Sequence, residues 1–83
     1  MYDIPQVAYW PIGNQEWRLQ ISFCSQQKEI LKLFKDWKPV GRGIDSTDKK
    51  DIIIFSKKFE NDLELMIFIL DLEKKYEVLI KEV

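Results

Sequence analysis

Asn61-Asp62-Leu63-Glu64-Leu65-Met66-Ile67-Phe68-Ile69-Leu70-Asp71-Leu72-Glu73-Lys74-Lys75 is the stretch on which the fold turns. Its centre, Met66 to Leu70, is β-prone and apolar on both sides, as a strand buried on two faces would be. The same residues also fit a helix. Asn61 with Glu64 three positions on imitates a capping box, Leu63, Met66, Ile67 and Leu70 share one stripe, acids open the segment, and Lys74 and Lys75 close it. The β-prone centre decides for a strand over Leu63 to Leu72, with turns at Glu60-Asn61-Asp62 and near Glu73-Lys74; the helix is the alternative. Residues 51 to 83 then form a three-strand meander: Asp51 to Phe59, Leu63 to Leu72, and Lys75 to Val83.

Working outward, Gln15 to Cys24 is the clearest strand, because Trp17, Leu19, Ile21 and Phe23 alternate with Glu16, Arg18, Gln20 and Ser22. Gln6 to Trp10 precedes it, and Pro11-Ile12-Gly13-Asn14 supplies turn residues for a hairpin. Pro5 and Pro11 place this first strand on a sheet edge. From Ser25, an N-cap residue type, the period changes: Ile30, Leu33, Phe34 and Trp37 make the apolar face of a helix, Lys28, Lys32 and Lys35 lie opposite, and Pro39 stops it. Lys38 to Lys50, with Gly41, Gly43, Asp45, Ser46 and Asp48, reads as a long loop. The predicted architecture is α+β: one domain spanning residues 1–83, an antiparallel sheet in ββαβββ order, with one amphipathic helix packed on one face.

The 83 residues suffice for a single core. Histidine is absent and Cys24 is the only cysteine, which excludes His-based triads, His or Cys zinc sites and an internal disulfide framework. Cys24 ends an apolar run, where a buried, unreactive thiol is expected. The segment Met1-Tyr2-Asp3-Ile4-Pro5 has no basic region or long apolar stretch, and no run approaches the roughly 20 apolar residues of a membrane helix. These features predict a cytoplasmic protein that does not enter a membrane. Eleven Ile and 11 Lys against one Ala and two Arg are a codon skew that points to a low-GC bacterial genome or its phages.

No catalytic motif emerges. Gly41-Arg42-Gly43 lacks the length and ending of a phosphate-binding loop. Asp45, Asp48 and Asp51 lack the glycine and terminal glutamate of a calcium loop, so no metal site and no cofactor are expected. A non-catalytic protein follows.

One helix cannot shield both sides of the sheet. Ile54, Met66, Phe68, Leu70 and Leu79 are expected on the face it leaves, a patch to be covered by Tyr9 and Trp10, by sheet curling, or by another chain, whether a homodimer mate or a different protein. Trp17 and Trp37 fit the core, which leaves Trp10 for a surface role. The net charge of −1 conceals a division: residues 28–58 carry nine basic and five acidic side chains, and residues 59–83 carry three basic and seven acidic. Glu60, Asp62, Glu64, Glu73 and Glu77 present carboxylates that imitate phosphates. The function expected is therefore protein–protein interaction. An inhibitor or immunity-type binder would occlude a larger target, a nucleic-acid-handling protein among the candidates, through Trp10, Met66, Phe68 and Leu79 with those acids. The alternative is a nucleic-acid-binding domain whose Lys28, Lys32, Lys35 and Lys38, with Arg42 in its glycine-flanked loop, track a phosphate backbone.

Overall fold

The computed structural model describes residues 4–47 and 49–83. The expectations placed on Met1, Tyr2, Asp3 and Asp48 lie outside the described residues. The fold is α+β, a five-strand, mostly antiparallel sheet with helical cover on one face.

The alternating segment is the sheet's central strand, β2 (Glu16–Phe23). It is joined to β1 (Gln6–Gly13) by a turn at Asn14 and Gln15, both at positive φ (54° and 64°) after Gly13 at 100°. The strand therefore continues through Pro11-Ile12-Gly13, and the turn falls later than expected. Val7 pairs with Ile21 and Tyr9 with Leu19. On β2's other side lies β4 (Lys50–Lys58), pairing Ile21 with Ile53 and Leu19 with Phe55. This register puts Val7, Tyr9, Leu19, Ile21, Phe23, Ile53 and Phe55 on one face, all buried.

Several expectations are corrected. The 38–50 segment is not a loop: Lys38–Asp45 forms β3, paired antiparallel with β4. Its Pro39, Gly41 and Gly43 suppress β-propensity, yet an edge strand tolerates them, and a register shift between Pro39 and Gly41 absorbs the irregularity. The first strand is not an edge. The order is β3-β4-β2-β1-β5, and β5 (Leu79–Glu82) covers β1 in parallel. That pairing spans only Gln6 to Tyr9, so Pro11 is never asked for an outward N–H.

The helix after β2 is a 3₁₀ helix over Ser25–Phe34, not an α-helix reaching Trp37, and Cys24, half-buried, rather than Ser25 is its N-cap. The Cys24 N–H donates to the Gln27 side chain at 2.9 Å, and Gln27 itself leaves helical backbone values. The strand expected over Leu63 to Leu72 is a helix, α1 (Asp62–Lys75), and the last strand is shorter than Lys75 to Val83. The element order is thus β, β, 3₁₀, β, β, α, β, with five strands as expected but a different set of residues forming them.

Local signals support helix α1, and packing decides for it. Asn61 is extended and its Oδ1 accepts the Glu64 N–H at 3.0 Å, while Asp62 and Glu64 favour the positive end of the helix dipole and Lys74 and Lys75 the negative end. Packing completes it: Leu65, Ile69 and Leu72, at 2%, 3% and 0% exposure, face the sheet. An aromatic cluster joins the layers. Phe34 stacks on Phe55 at 4.9 Å, Trp37 meets Phe34 and Phe59 edge-on, and Phe68 from α1 lies 5.3 Å from Phe34 and 5.2 Å from Trp37. The Tyr76 hydroxyl donates to the Glu29 carbonyl at 3.1 Å, tying the end of α1 to the 3₁₀ helix. Among the described residues, no helix is long and apolar enough to cross a membrane.

Candidate functional site

The spacing that buries Leu65, Ile69 and Leu72 turns a second apolar set outward. Leu63, Met66, Ile67 and Leu70 are 67%, 44%, 57% and 52% exposed and sit at i, i+3, i+4 and i+7. They form one continuous strip on a helix roughly 21 Å long. Four large aliphatic side chains exposed together on one helix are unlike the scattered apolar residues of an ordinary surface.

The strip is rimmed by acids. The Glu60 N–H donates to Glu64 Oε2 at 3.3 Å, which fixes that carboxylate beside the helix start, and Asp71 is bridged to Lys75 at 3.2 Å. Glu60, Asp62, Glu64 and Glu73 are exposed around the helix, against Lys74 and Lys75 at its end. Beside Ile67 lies a hollow of about 470 Å³, with Phe59 and Phe68 in its lining and Glu64, Asp71 and Lys57 as its polar members. The Lys57 ammonium lies 5.2 Å from the centre of the Phe59 ring, a cation–π contact. Strip, hollow and acids together form a face that is apolar at its centre and negative at its margin.

The residues expected to bind a partner divide between two surfaces. Met66 lies on the strip, Phe68 is half-buried behind it, Glu60, Asp62, Glu64 and Glu73 surround it, and Glu77 is exposed in the link to β5. Trp10 and Leu79 lie elsewhere, on the sheet face that no helix covers. Trp10, half-buried there, pairs with Arg18, and Leu79 borders a hollow of about 330 Å³ with Ala8 and Gln20. Ile54 sits on that same uncovered face, so the patch expected as one sheet surface is in fact two. Leu63, Ile67 and Leu70 complete the helical strip; their signal was the helical spacing that the strand reading set aside.

The basic residues are also redistributed. A 3₁₀ helix makes a turn in three residues, which carries Lys28 to the side of Leu31 and Lys32 to the side of Lys35. Lys28, Leu31 and Arg42 line a hollow of about 550 Å³ between the 3₁₀ helix and β3, together with Phe23, Ile44, Asp51 and Ile53. Lys38 pairs with Ser56 on β4, on the uncovered side of the sheet. Among the described residues, no group of three His, Cys, Asp or Glu side chains could hold a metal ion.

Burial raises the Tyr9 hydroxyl above its ordinary value of 10.0, and the carboxylates of Glu82, its neighbour on β5, and of Glu73 add to the effect. Compared with known proteins, the chain matches no family model, no curated protein and no solved structure.

Proposed function

We propose that this protein is a small non-catalytic interaction module, an inhibitor or immunity-type binder, that occludes a larger protein through the outer face of α1. The observation that carries the reading is the exposed strip Leu63, Met66, Ile67 and Leu70 within a margin of carboxylates. An apolar centre gives affinity when water is expelled, and a charged margin speeds encounter and selects the partner. The complementary surface is an apolar groove with a Lys/Arg rim, the chemistry of a protein that handles polyanions. A second copy fits less well, because two such faces set together would oppose carboxylate to carboxylate around most of the margin.

The test is affinity capture from a lysate of the source organism with the wild-type chain and with an Ile67→Glu/Leu70→Glu variant, both checked for folding by circular dichroism. The expected result is one stoichiometric protein that survives high salt on the wild type and is lost on the variant. A protein retained equally by both, or nucleic acid retained through Lys28, Lys32, Lys35, Lys38 and Arg42 and released by salt, overturns the reading in favour of another surface.

A further inference from the structure

The sheet ends on β3 at one side and on β5 at the other, and the two edges differ. β5 has four residues, whereas β3 has eight, every one exposed or half-buried. The outward backbone groups of an edge strand are a template for another extended chain. The first part of β3 carries the usual deterrents: Lys38, Pro39, and the register shift before Gly41. From Gly41 to Asp45 the pairing with β4 is regular, running from Gly41–Ile54 to Asp45–Lys50, and these deterrents stop.

Of the two glycines in this stretch, Gly41 borders the register shift, which accounts for it, but Gly43 is not explained by the fold. A Cβ on Gly43 would meet nothing within 4 Å, one on Gly41 would make ordinary contact with Ile54, and neither has a positive φ. Glycine inside a strand weakens it and marks a bulge, a tight bend or a place where another backbone approaches closely, and Gly43 lies in regularly paired strand, away from the register shift. On the other side of the same stretch, Arg42 and Ile44 border the 550 Å³ hollow, whose apolar members include Phe23 and Leu31. Ile44 is 75% exposed, the most exposed large hydrophobic side chain among the described residues. A strand laid along Gly41 to Asp45 would cover Ile44 and direct alternate side chains into the hollow.

We infer that the Gly41–Asp45 edge and the adjoining hollow bind an extended, acidic peptide segment of another protein, which adds a sixth strand to the sheet. Charge selects the occupant: Lys28 and Arg42 face the hollow against the carboxylate of Asp51, and Asp45 at the end of the edge stands across from Lys50 on β4, within a chain segment that is itself basic. A second copy joined edge to edge would gather two Arg42 and two Lys28 on one side of the joint, which disfavours self-pairing. This surface lies at the Asp51–Ile53 end of β4, while the hollow beside α1 lies at the Lys57–Phe59 end, so the two sites are separate.

The experiment uses the full chain and a displayed library of random peptides about ten residues long. Selected peptides are synthesised and titrated into the ¹⁵N-labelled protein. Peptides with alternating acidic and apolar residues are expected, shifting the amides of Gly41 to Asp45 and of Phe23 and Leu31 and slowing hydrogen exchange along β3. Lys28→Glu/Arg42→Glu, with its fold verified, is expected to weaken binding about tenfold or more, as is N-methylation of alternate peptide bonds. The Ile67→Glu/Leu70→Glu variant should bind as the wild type does, which separates this site from the α1 face. The inference is overturned by failure to select any peptide, by basic or neutral winners, by a footprint away from β3, or by concentration-dependent shifts at β3 without peptide, which would indicate a second copy.

Discussion

Tyr9 shows how a single side chain joins packing to charge. Its ring packs against Trp17 at 5.9 Å inside the core, while its hydroxyl lies close enough to Glu82 and Glu73 for their carboxylates to disfavour the phenolate. The folded state therefore holds this proton more tightly than the unfolded chain does. For a pKa raised on folding, the stability is fully present below the unfolded value and is lost as pH rises through the folded one. The urea midpoint should accordingly fall as pH climbs through and above 10.0, the ordinary tyrosine value. Tyr9→Phe retains the ring and should flatten that alkaline decline relative to wild type. An equally steep decline in the variant would assign the loss to other groups.

At the scale of elements, α1 and the strand it displaced make opposite demands on neighbouring residues. On a strand, Ile67 and Ile69 share a face; on a helix they lie on opposite sides, Ile67 at 57% exposure and Ile69 at 3%. Ile67→Glu should leave the urea-unfolding free energy within about 0.5 kcal/mol of wild type. Ile69→Glu buries a carboxylate among Leu65 and Leu72 and should cost about 4 kcal/mol or more, enough to abolish the folded state of a marginal domain. Similar losses from the two substitutions would contradict the helix. The run from Leu65 to Leu70 hid this difference because a helix apolar on two sides resembles a strand buried on two faces. Sequence periodicity distinguishes one-sided elements, and α1 is two-sided. β3 was concealed for the converse reason, since an edge strand with two glycines and a proline has no buried face to write an alternation.

Across the whole molecule, the division of charge acquires a place. The acidic third contains α1 and its margin, and the basic middle contains the 3₁₀ helix, β3 and β4. A partner with a cationic rim should be steered to the α1 face, so its association rate should fall about tenfold between roughly 50 mM and 500 mM salt, with dissociation little changed. Surface plasmon resonance on the captured partner measures both. A salt effect confined to dissociation would mean that the carboxylates act inside the contact rather than around it. The acids Glu60, Asp62, Glu64 and Glu73, with Met66, were legible as a set in the sequence because they lie close together in the chain. Leu79 joined that set through the assumption that the 63–72 segment lay in the sheet, and Trp10 by elimination, because Trp17 and Trp37 fit the core.

By itself the sequence determined the α+β class, the alternating strand β2 with its buried Leu19, Ile21 and Phe23, and the absence of histidine, because composition and one-sided periodicity are local properties. Only the tertiary structure decided that residues 62–75 wind into a helix, that β5 rather than β1 closes its side of the sheet, and that the apolar surplus is shared between α1 and the uncovered sheet face. Those outcomes depend on which surface each element finds to pack against, and a residue such as Ile67 carries no record of whether its neighbour in space is Phe55 or water.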